Sequence, residues 1–565
     1  MKTLRNVSTL LALLATAAPA QDYDVVIAGG STAAFAAAVA SAGSGAKTLL
    51  VEPTDWVGGQ LTSSGVPAVD EAWHKHLDPK TGAVLLDVAK LARDRANMTP
   101  NFRQMLDATG NPGGGWVSNY CFEPRDFLAK HLLPLEAKLA GKLTVIREAV
   151  PKRVEVAAGK VRSITFVKRT PRPGLASGGY DVLPSADLPD WYAEKPSARF
   201  DKQVIVIKSK NDDPSQTIFL DATEWGEILA LADAPYLQGV EATDGGLDSL
   251  DTLGQATVFG FVERIEPTPA AEPDGPKDIP GLGFGAYRSK PDAWARIWTY
   301  RRLRGAGDGP HVGELSLQNW GYSARDGEGG NDYPFGYLFR PKAAAAAERA
   351  DWRGGLDLAV MAAAEARALA WHHWFKQHPP AGIAPGQVIL DRQAFGTGHG
   401  LSKLPYIRDT RRSIGLDKFI IKYADISGPA SRRTGTAFAD RVALGAYPAD
   451  IHPVTTAEFP AYVHGGAETL PFYIPFRALT NDALGNLLVA GKTMAQGFMV
   501  NSATRLHPIE WSSGTAAGVA AADMAAHRRD SRAELAAVAE LQALVKLRTP
   551  IDWTFGGPPA PVPGR

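Results

Sequence analysis

The sequence predicts an α/β fold in which a Rossmann-like parallel sheet is built from discontinuous segments and is joined to a second, α+β domain. The first observation is a strand, helix and strand pattern from Tyr23 to Val51. The second is a series of short β-branched runs between Leu143 and Leu220. The third is an apolar run, Asn486 to Ala490, that leads into a helix rich in small residues. With 565 residues, 45% of them hydrophobic, the chain is too long for one ordinary core, so two interleaved domains are expected.

The N-terminus has the pattern of a secretory signal peptide. Lys2 and Arg5 precede an apolar run from Val7 to Ala18, and Ala18-Pro19-Ala20 supplies the small residues of a cleavage site. We therefore predict a signal peptide over residues 1–20 with cleavage after Ala20, and a secreted or periplasmic mature protein.

Composition narrows the class of partner. Lys and Arg together number 60, as do Asp and Glu, so no excess of positive charge favours nucleic acid, and a small-molecule substrate is expected. No later stretch is long and apolar enough to predict a membrane span. Cys121 is the only cysteine, which excludes an intrachain disulfide. The histidines do not combine with acids or cysteine at a recognised spacing, so we predict no metal site.

The first elements have the order of a nucleotide-binding βαβ unit. Tyr23 to Ala28 is a buried type of strand, Ala33 to Ala42 an alanine-rich helix, and Thr48 to Val51 a second strand. In such units one glycine makes the tight turn, a second lets the backbone approach a pyrophosphate, and a third lets helix pack on strand. Gly29, Ser31 and Ala34 occupy these three positions. The turn glycine is kept, Ser31 can donate to a phosphate, and Ala34 adds one methyl group.

Glu52 ends the second strand about 20 residues after Gly29, where an acid accepts hydrogen bonds from an adenosine ribose. The alternative is an ordinary βαβ unit with a surface glutamate.

Six segments together carry a resemblance to a known family. They are VVIAGGSTAAFAAAVA, LLVEPTDWVGGQLT, TIFLDATEWGEILALA, LPYIRDTRRSIG, FYIPFRAL and NLLVAGKTMAQGFMVNSATRLHPIEWSSGTAAGVAAA. The chain resembles the FAD-dependent oxidoreductases of the glutathione-reductase-like superfamily over most of its length. The resemblance implies an enzyme with FAD as cofactor, and no recognised attachment motif is present, so we expect the FAD to be non-covalent.

The resemblance also implies the cofactor-binding residues. A helix beginning near Ser513 would point its N-terminal amides at the flavin and stabilise the negative charge of its reduced form. The alternative is a small-residue helix packed on a sheet. The predicted FAD contacts are Gly29, Gly30, Ser31, Thr32, Ala33, Ala34, Glu52, Pro53, Gly58, Gly59, Gln60, Ala222, Thr223, Gly491, Lys492, Ser513, Gly514, Thr515 and Ala516.

The predicted domains alternate along the chain. The expected divisions are an FAD-binding domain over residues 21–235, a substrate or cap domain over 236–400, a substrate-side segment over 401–480, the C-terminal part of the FAD-binding domain over 481–530, and a C-terminal helix and tail over 531–565.

Candidate catalytic residues come from the segments that resemble the family's substrate side. His452 and His507 each precede a proline and have side chains suited to acid or base work. Arg408 and Arg477 suit a carboxylate because guanidinium groups bind it bidentately, and Tyr473 completes the set. An acidic or polyhydroxylated substrate is expected. The arginines could instead form structural ion pairs, Arg477 with an acid such as Asp450.

The leading hypothesis is an exported flavoenzyme that transfers a hydride between a small polar substrate and flavin N5. The alternatives are a carbohydrate-active lyase or hydrolase on the same fold, and a binding protein without cofactor, for which the altered glycine loop is the only support.

Overall fold

The structure is a computed structural model, and it describes residues 22–272, 275–276, 291–319, 322–323, 328–379 and 382–556. The predicted signal peptide and its cleavage site lie outside the described residues.

A five-stranded parallel sheet forms the centre of the first domain. Its strands are β1 (Val25–Ala28), β2 (Thr48–Val51), β3 (Leu143–Ile146), β4 (Ile218–Asp221) and β5 (Leu487–Val489), in the order β5-β4-β1-β2-β3. All residues of β1, β2, β4 and β5 are buried, as expected for a parallel sheet covered on both faces. The prediction of a Rossmann-like sheet built from discontinuous segments is confirmed. The first of the β-branched runs, at Leu143, belongs to this sheet as its edge strand.

Three long helices define the packing around the sheets: α1 (Thr32–Gly43), α2 (Leu358–Gln377) and α3 (His507–His527). Helix α3 lies so close to α1 that a Cβ at Gly514 would be 2.3 Å from the Ala33 carbonyl oxygen, and one at Gly518 would be 2.2 Å from that of Ala37. The expected helix start near Ser513 is wrong, because α3 begins two turns earlier at His507.

An antiparallel sheet of Ala149–Ala157, Lys160–Pro171 and Phe200–Lys208 packs against the parallel sheet. The Pro- and Gly-rich stretch between its last two strands contains the helix Pro184–Trp191, whose final tryptophan is buried in the core of the second domain.

The second domain contains a four-stranded antiparallel sheet with helix α2 against it, so the predicted α+β domain is confirmed. The strand order in this sheet is Arg302–Arg304, Leu315–Gln318, Phe261–Ile265 and Val388–Leu390. Trp298, Trp352 and Trp371 are buried in its core.

The other elements are short. The paired strands are Lys75–Leu77 with Val84–Asp87, Tyr236–Leu237 with Arg412–Ser413, Val240–Glu241 with Ser249–Leu250, Tyr322–Ser323 with Glu328–Gly329, and Arg441–Gly445 with Phe472–Pro475. The short α-helices are Val88–Arg93, Pro100–Thr109, Pro124–Phe127, Leu133–Lys138, Glu227–Leu231, Pro291–Tyr300, Lys342–Glu348, Arg392–Phe395, Tyr423–Ile426, Phe498–Thr504, Ser531–Ala536 and Val538–Lys546. None of the helices that the structure describes has the length and apolarity needed to cross a membrane.

Candidate functional site

The glycine loop joins β1 to the N-terminus of α1. Gly30 has φ of +126°, a value that favours glycine, and Pro53 lies next to it. Ser31 caps α1, since its Oγ accepts a hydrogen bond from the Ala34 amide at 3.1 Å. The same hydroxyl donates to the Ala222 carbonyl at 2.7 Å. The prediction that Ser31 donates to a phosphate is therefore wrong, because its hydroxyl already donates to the Ala222 carbonyl, directly after β4.

The loop containing Gly58 and Gly59 lies directly on this helix N-terminus. The Thr32 hydroxyl donates to the Gly58 carbonyl at 2.7 Å. Gly59 has φ of +56°, and a Cβ there would be 2.6 Å from the Thr32 nitrogen. Only glycine allows this approach. Gln60 follows, and its amide donates to the Arg505 carbonyl at 3.0 Å.

Glu52 provides the test of whether the chain fits FAD. Its side chain is fully buried at the end of β2, and burial raises its pKa well above the usual value. Within the described residues, Glu52 Oε2 has no hydrogen-bond partner. A buried carboxylate oxygen without a partner is costly, and a ribose hydroxyl is the donor that this position takes in the fold. The residues at this end of the site therefore fit FAD.

Lys492 belongs to a buried ionic triad beside the glycine loop. Its Nζ lies 3.0 Å from Glu224 Oε2 and 2.6 Å from Glu510 Oε1. Burial opposes charge on Lys492, but the two carboxylates offset it and raise its pKa. Burial raises the pKa of Glu224 to about 7. The Lys492 ammonium is thus paired with two carboxylates and is not free to bind a phosphate. This pairing argues against a direct ionic contact between Lys492 and the cofactor.

Gly491 brings the C-terminal segment onto α1, because a Cβ there would be 2.8 Å from the Ala33 Cβ. At the end of β4, the Thr223 hydroxyl donates to Asp221 Oδ1 at 2.7 Å. The two ends of the chain therefore meet at the N-terminus of α1, as a shared cofactor site requires.

The residues Ser513 to Ala516 lie in the second and third turns of α3. The Ser513 and Thr515 hydroxyls donate to carbonyls of their own helix, and Gly514 faces Ala33. The closeness of Gly514 thus serves helix packing. The N-terminus of α3 is formed by His507 and Pro508 instead, and its role toward the flavin stays a prediction.

A cavity of about 240 Å³ lies next to the start of α3, where Arg505 forms part of its lining. It contains Arg408 and His452, so the structure brings together two of the five predicted catalytic residues. The lining residues are Asp70, Trp73, Tyr300, Arg301, Asn319, Tyr406, Arg408, Tyr447, Asp450, His452 and Arg505. Among the described residues that line it, none is aliphatic.

His452 is held between two carboxylates. Its Nδ1 lies 2.6 Å from Asp332 Oδ2, and its Nε2 lies 3.1 Å from Asp450 Oδ2. Burial and Arg408 oppose protonation, but the carboxylates offset both and raise the pKa of His452 above its ordinary value. A carboxylate beside each ring nitrogen thus favours the protonated form of His452.

Three arginines converge on the cavity. Arg408 pairs with Asp332 at 2.8 Å, and Arg505 donates to the Tyr406 hydroxyl at 2.7 Å. Arg301 lies 3.8 Å from Asp70. The guanidinium groups of these three arginines line the cavity and give it a basic wall suited to an anionic ligand.

The cavity also contains two carboxyl groups in opposite environments. Burial raises the pKa of Asp70, although Arg301 and Arg505 oppose it. Burial also acts on Asp450, but His452 and Arg505 hold its pKa below the usual value. Titratable neighbours whose pKa values are pushed apart are candidates for acid and base roles. Sequence reasoning missed Asp70, Trp73 and Arg301; the acidic and aromatic stretch from Val69 to His76 was the available signal.

The other three predicted catalytic residues are not among the described residues that line the cavity. Arg477 makes two hydrogen bonds to Asp440, at 3.0 and 3.1 Å, so it is a structural ion pair as the alternative held, with a different acid. Tyr473 lies in a strand paired with Arg441–Gly445. Burial lowers the pKa of His507 to about 3, and its Nε2 contacts the Val66 carbonyl at 2.8 Å, so it stays neutral.

No group of three or more His, Cys, Asp or Glu side chains in the described ranges is arranged to hold a metal ion.

Comparisons with known proteins identify the family. A search of the curated proteins found no match. Among solved structures, a variant of E. coli quinol fumarate reductase FrdA is similar with 12% identity and a TM-score of 0.31, over 94% of this chain and 74% of that one. T. acidophilum thioredoxin reductase has 11% identity and a TM-score of 0.15, over 36% of this chain and 35% of that one. Aquifex aeolicus GidA has 13% identity and a TM-score of 0.23, over 46% of this chain and 38% of that one. The model of the FAD dependent oxidoreductase family matches residues 24–180 and 197–545. The chain therefore belongs to the FAD-dependent oxidoreductase family, and FAD is its cofactor.

Proposed function

We propose that this enzyme is exported and transfers a hydride between FAD and a small polar anion bound in the cavity that Asp70, Arg408 and His452 line. The observation that carries the proposal is the convergence of three arginines and a cationic histidine on one cavity. Among the described residues, the acids paired with them are Asp70 and Asp450, which line the cavity, and Asp332, which contacts Arg408 and His452. The balance of charge therefore favours a bound anion.

FAD supplies the hydride-transferring centre when bound. The protein must hold the substrate and manage one proton. Arg301 and Arg505 line the cavity and can bind the anionic group through their guanidinium groups. Asp70 is the candidate proton acceptor, because a carboxylate of raised pKa is the stronger base. In the reverse direction the protonated Asp70 returns that proton, and His452, which contacts Asp332 and Asp450, contributes positive charge beside the bound anion.

Arg301 gives the sharpest test, because its contact with Asp70 is long and its one close side-chain hydrogen bond among the described residues goes to the Asn319 carbonyl. Purified, FAD-replete enzyme is mixed without oxygen with carboxylic acids and with their neutral amides, and bleaching of the flavin absorbance is followed at about 450 nm. We expect the acids to reduce the flavin and the amides to react poorly.

Arg301→Ala should raise the concentration of acid needed at half-saturation while changing the rate with the amide little. Arg304→Ala is the matched control, since Arg304 is exposed and pairs with Glu123. Equal reactivity of acids and amides in the parent enzyme would contradict an anionic substrate.

Export is supported by the order of charged start, apolar run and small-residue ending in residues 1–20. Expression in a bacterial host followed by mass spectrometry of the periplasmic and secreted material should find Gln21 as the first residue. A chain that keeps Met1 would contradict export by this signal.

A further inference from the structure

The mouth of the cavity has an exposed tryptophan that is held in a fixed place. Trp73 is 56% exposed, yet its ring packs edge-on against Tyr447, with the centroids 4.5 Å apart and the planes at 89°. The chain that follows is anchored, because His74 Nε2 and His76 Nε2 each lie 2.9 Å from the Thr469 carbonyl. Trp73 therefore presents a fixed aromatic surface to solvent at the cavity, and an aromatic face in that position can contact a ligand.

The chemistry of the lining indicates the class of ligand. Aromatic side chains offer flat apolar faces, and the acids, the arginines and Asn319 offer hydrogen bonds, but the described lining has no aliphatic wall. A ligand that fits both the aromatic faces and the hydrogen-bonding groups must have apolar C–H faces and many hydroxyl groups. Sugar rings have both, and the arginines select a sugar that carries a carboxylate.

We propose that the substrate is an acidic saccharide whose charged terminal unit enters the cavity while the next sugar unit stacks on Trp73. This inference rests on the proposed function, because it uses the same cavity and names the substrate class. Pockets for drug-sized ligands have roughly 300–1,000 Å³. The cavity, with about 240 Å³, is smaller and suits one sugar unit. Trp73 lies at its open side and is placed to contact the unit outside.

The experiment compares binding of glucuronic acid with binding of a disaccharide that ends in glucuronic acid. Isothermal titration is carried out on FAD-replete protein, so the readout does not depend on turnover. In the parent protein we expect the disaccharide to bind about tenfold more tightly than the monosaccharide, a typical gain for one well-packed aromatic contact. Trp73→Ala should reduce the ratio of disaccharide to monosaccharide affinity from about tenfold to about one, whatever its effect on the monosaccharide itself, whereas Trp73→Phe should keep most of that ratio.

Leu77→Ala is the matched control, because Leu77 is 53% exposed on the same segment but does not line the cavity. It should leave both affinities unchanged. Flavin absorbance of each variant verifies that the fold and the cofactor are retained. An equal loss in Leu77→Ala, or a disaccharide gain that survives Trp73→Ala, would overturn the role of Trp73.

Failure of this inference can be separated from failure of the proposed function. If simple carboxylic acids reduce the flavin but neither saccharide binds at millimolar concentration, the substrate class is wrong and the anionic cavity stands. If neither saccharides nor other anions bind or react, both proposals are overturned.

Discussion

Asp70 is the residue whose replacement should separate chemistry from binding. Asp70→Asn keeps the shape of the side chain but removes the base, so we expect kcat to fall by about 10²–10⁴-fold while FAD content is unchanged. The acceptor must be ionised, so activity is lost as pH falls through the Asp70 pKa. Because burial raises that pKa, the acid limb of kcat/KM should lie above the value of about 3.9 for an ordinary aspartate. Asp78→Asn, at an exposed turn, is the control. A parent-like rate in Asp70→Asn would exclude it as the base.

His452 should control the opposite limb. Its folded pKa is raised, so the imidazolium is present below that pKa and is lost as pH rises through it. Affinity for an anionic ligand should therefore weaken on the alkaline side. In His452→Gln this dependence on pH should disappear, and titrations of a carboxylate ligand across neutral and alkaline pH would measure it. If the alkaline weakening persists in the variant, another group is responsible.

Glu52 is the test of the cofactor site. Removing a charged acceptor of ribose hydrogen bonds costs on the order of 1.5–3 kcal/mol, so Glu52→Ala should weaken FAD binding by about 10–150-fold. The dissociation constant is measured by fluorescence during reconstitution of the FAD-free protein. Glu155→Gln, on the antiparallel sheet, should bind like the parent. Unchanged binding by Glu52→Ala would mean that the ribose lies elsewhere.

At the scale of elements, the contact between α1 and α3 should be the one where a larger side chain lowers the free energy of unfolding most. Gly518→Val places a branched side chain where a Cβ would already be 2.2 Å from the Ala37 carbonyl oxygen. We expect the free energy of unfolding to fall by about 1–3 kcal/mol or more, measured by urea denaturation. Ala526→Val, at the exposed end of α3, should cost no more than the propensity difference of up to about 0.7 kcal/mol. Equal losses would show that the close contact is not needed.

The buried strands could be predicted from the sequence, whereas the start of α3 and most of the cavity could not. Buried parallel strands read as short apolar runs, so β1, β2, β4 and β5 were recognisable. The start of α3 was misplaced because residues small enough for a second helix to approach are the same as those small enough for a ligand. Arg408 and His452 could be chosen by their chemistry. Asp70, Trp73 and Arg301 could not, because segments far apart in sequence form that cavity only after folding.

At the scale of the whole molecule, FAD should stabilise both halves of the nucleotide-binding domain together. Ligand at 100 times its dissociation constant adds about 2.7 kcal/mol to the free energy of unfolding when it binds only the folded state. The melting temperature should rise with added FAD in parent protein and much less in Glu52→Ala.

Acid precipitation should release the yellow chromophore into the supernatant, since we expect FAD to be non-covalent. Colour that stays in the pellet would indicate a covalent bond.

The position of β5, near the end of the chain, delays completion of the parallel sheet during synthesis. This strand pairs with β4 in the sheet, and α3 covers α1, so the βαβ unit at the start of the chain stays unfinished until about residue 527 has been made. At about 5–20 residues per second, the remaining synthesis after β2 takes roughly 20–100 s. During this interval α1 lacks the helix that packs on it at Gly514 and Gly518. If the chain is exported, as we propose, it would therefore remain open during much of its synthesis and would acquire FAD only after α3 is in place.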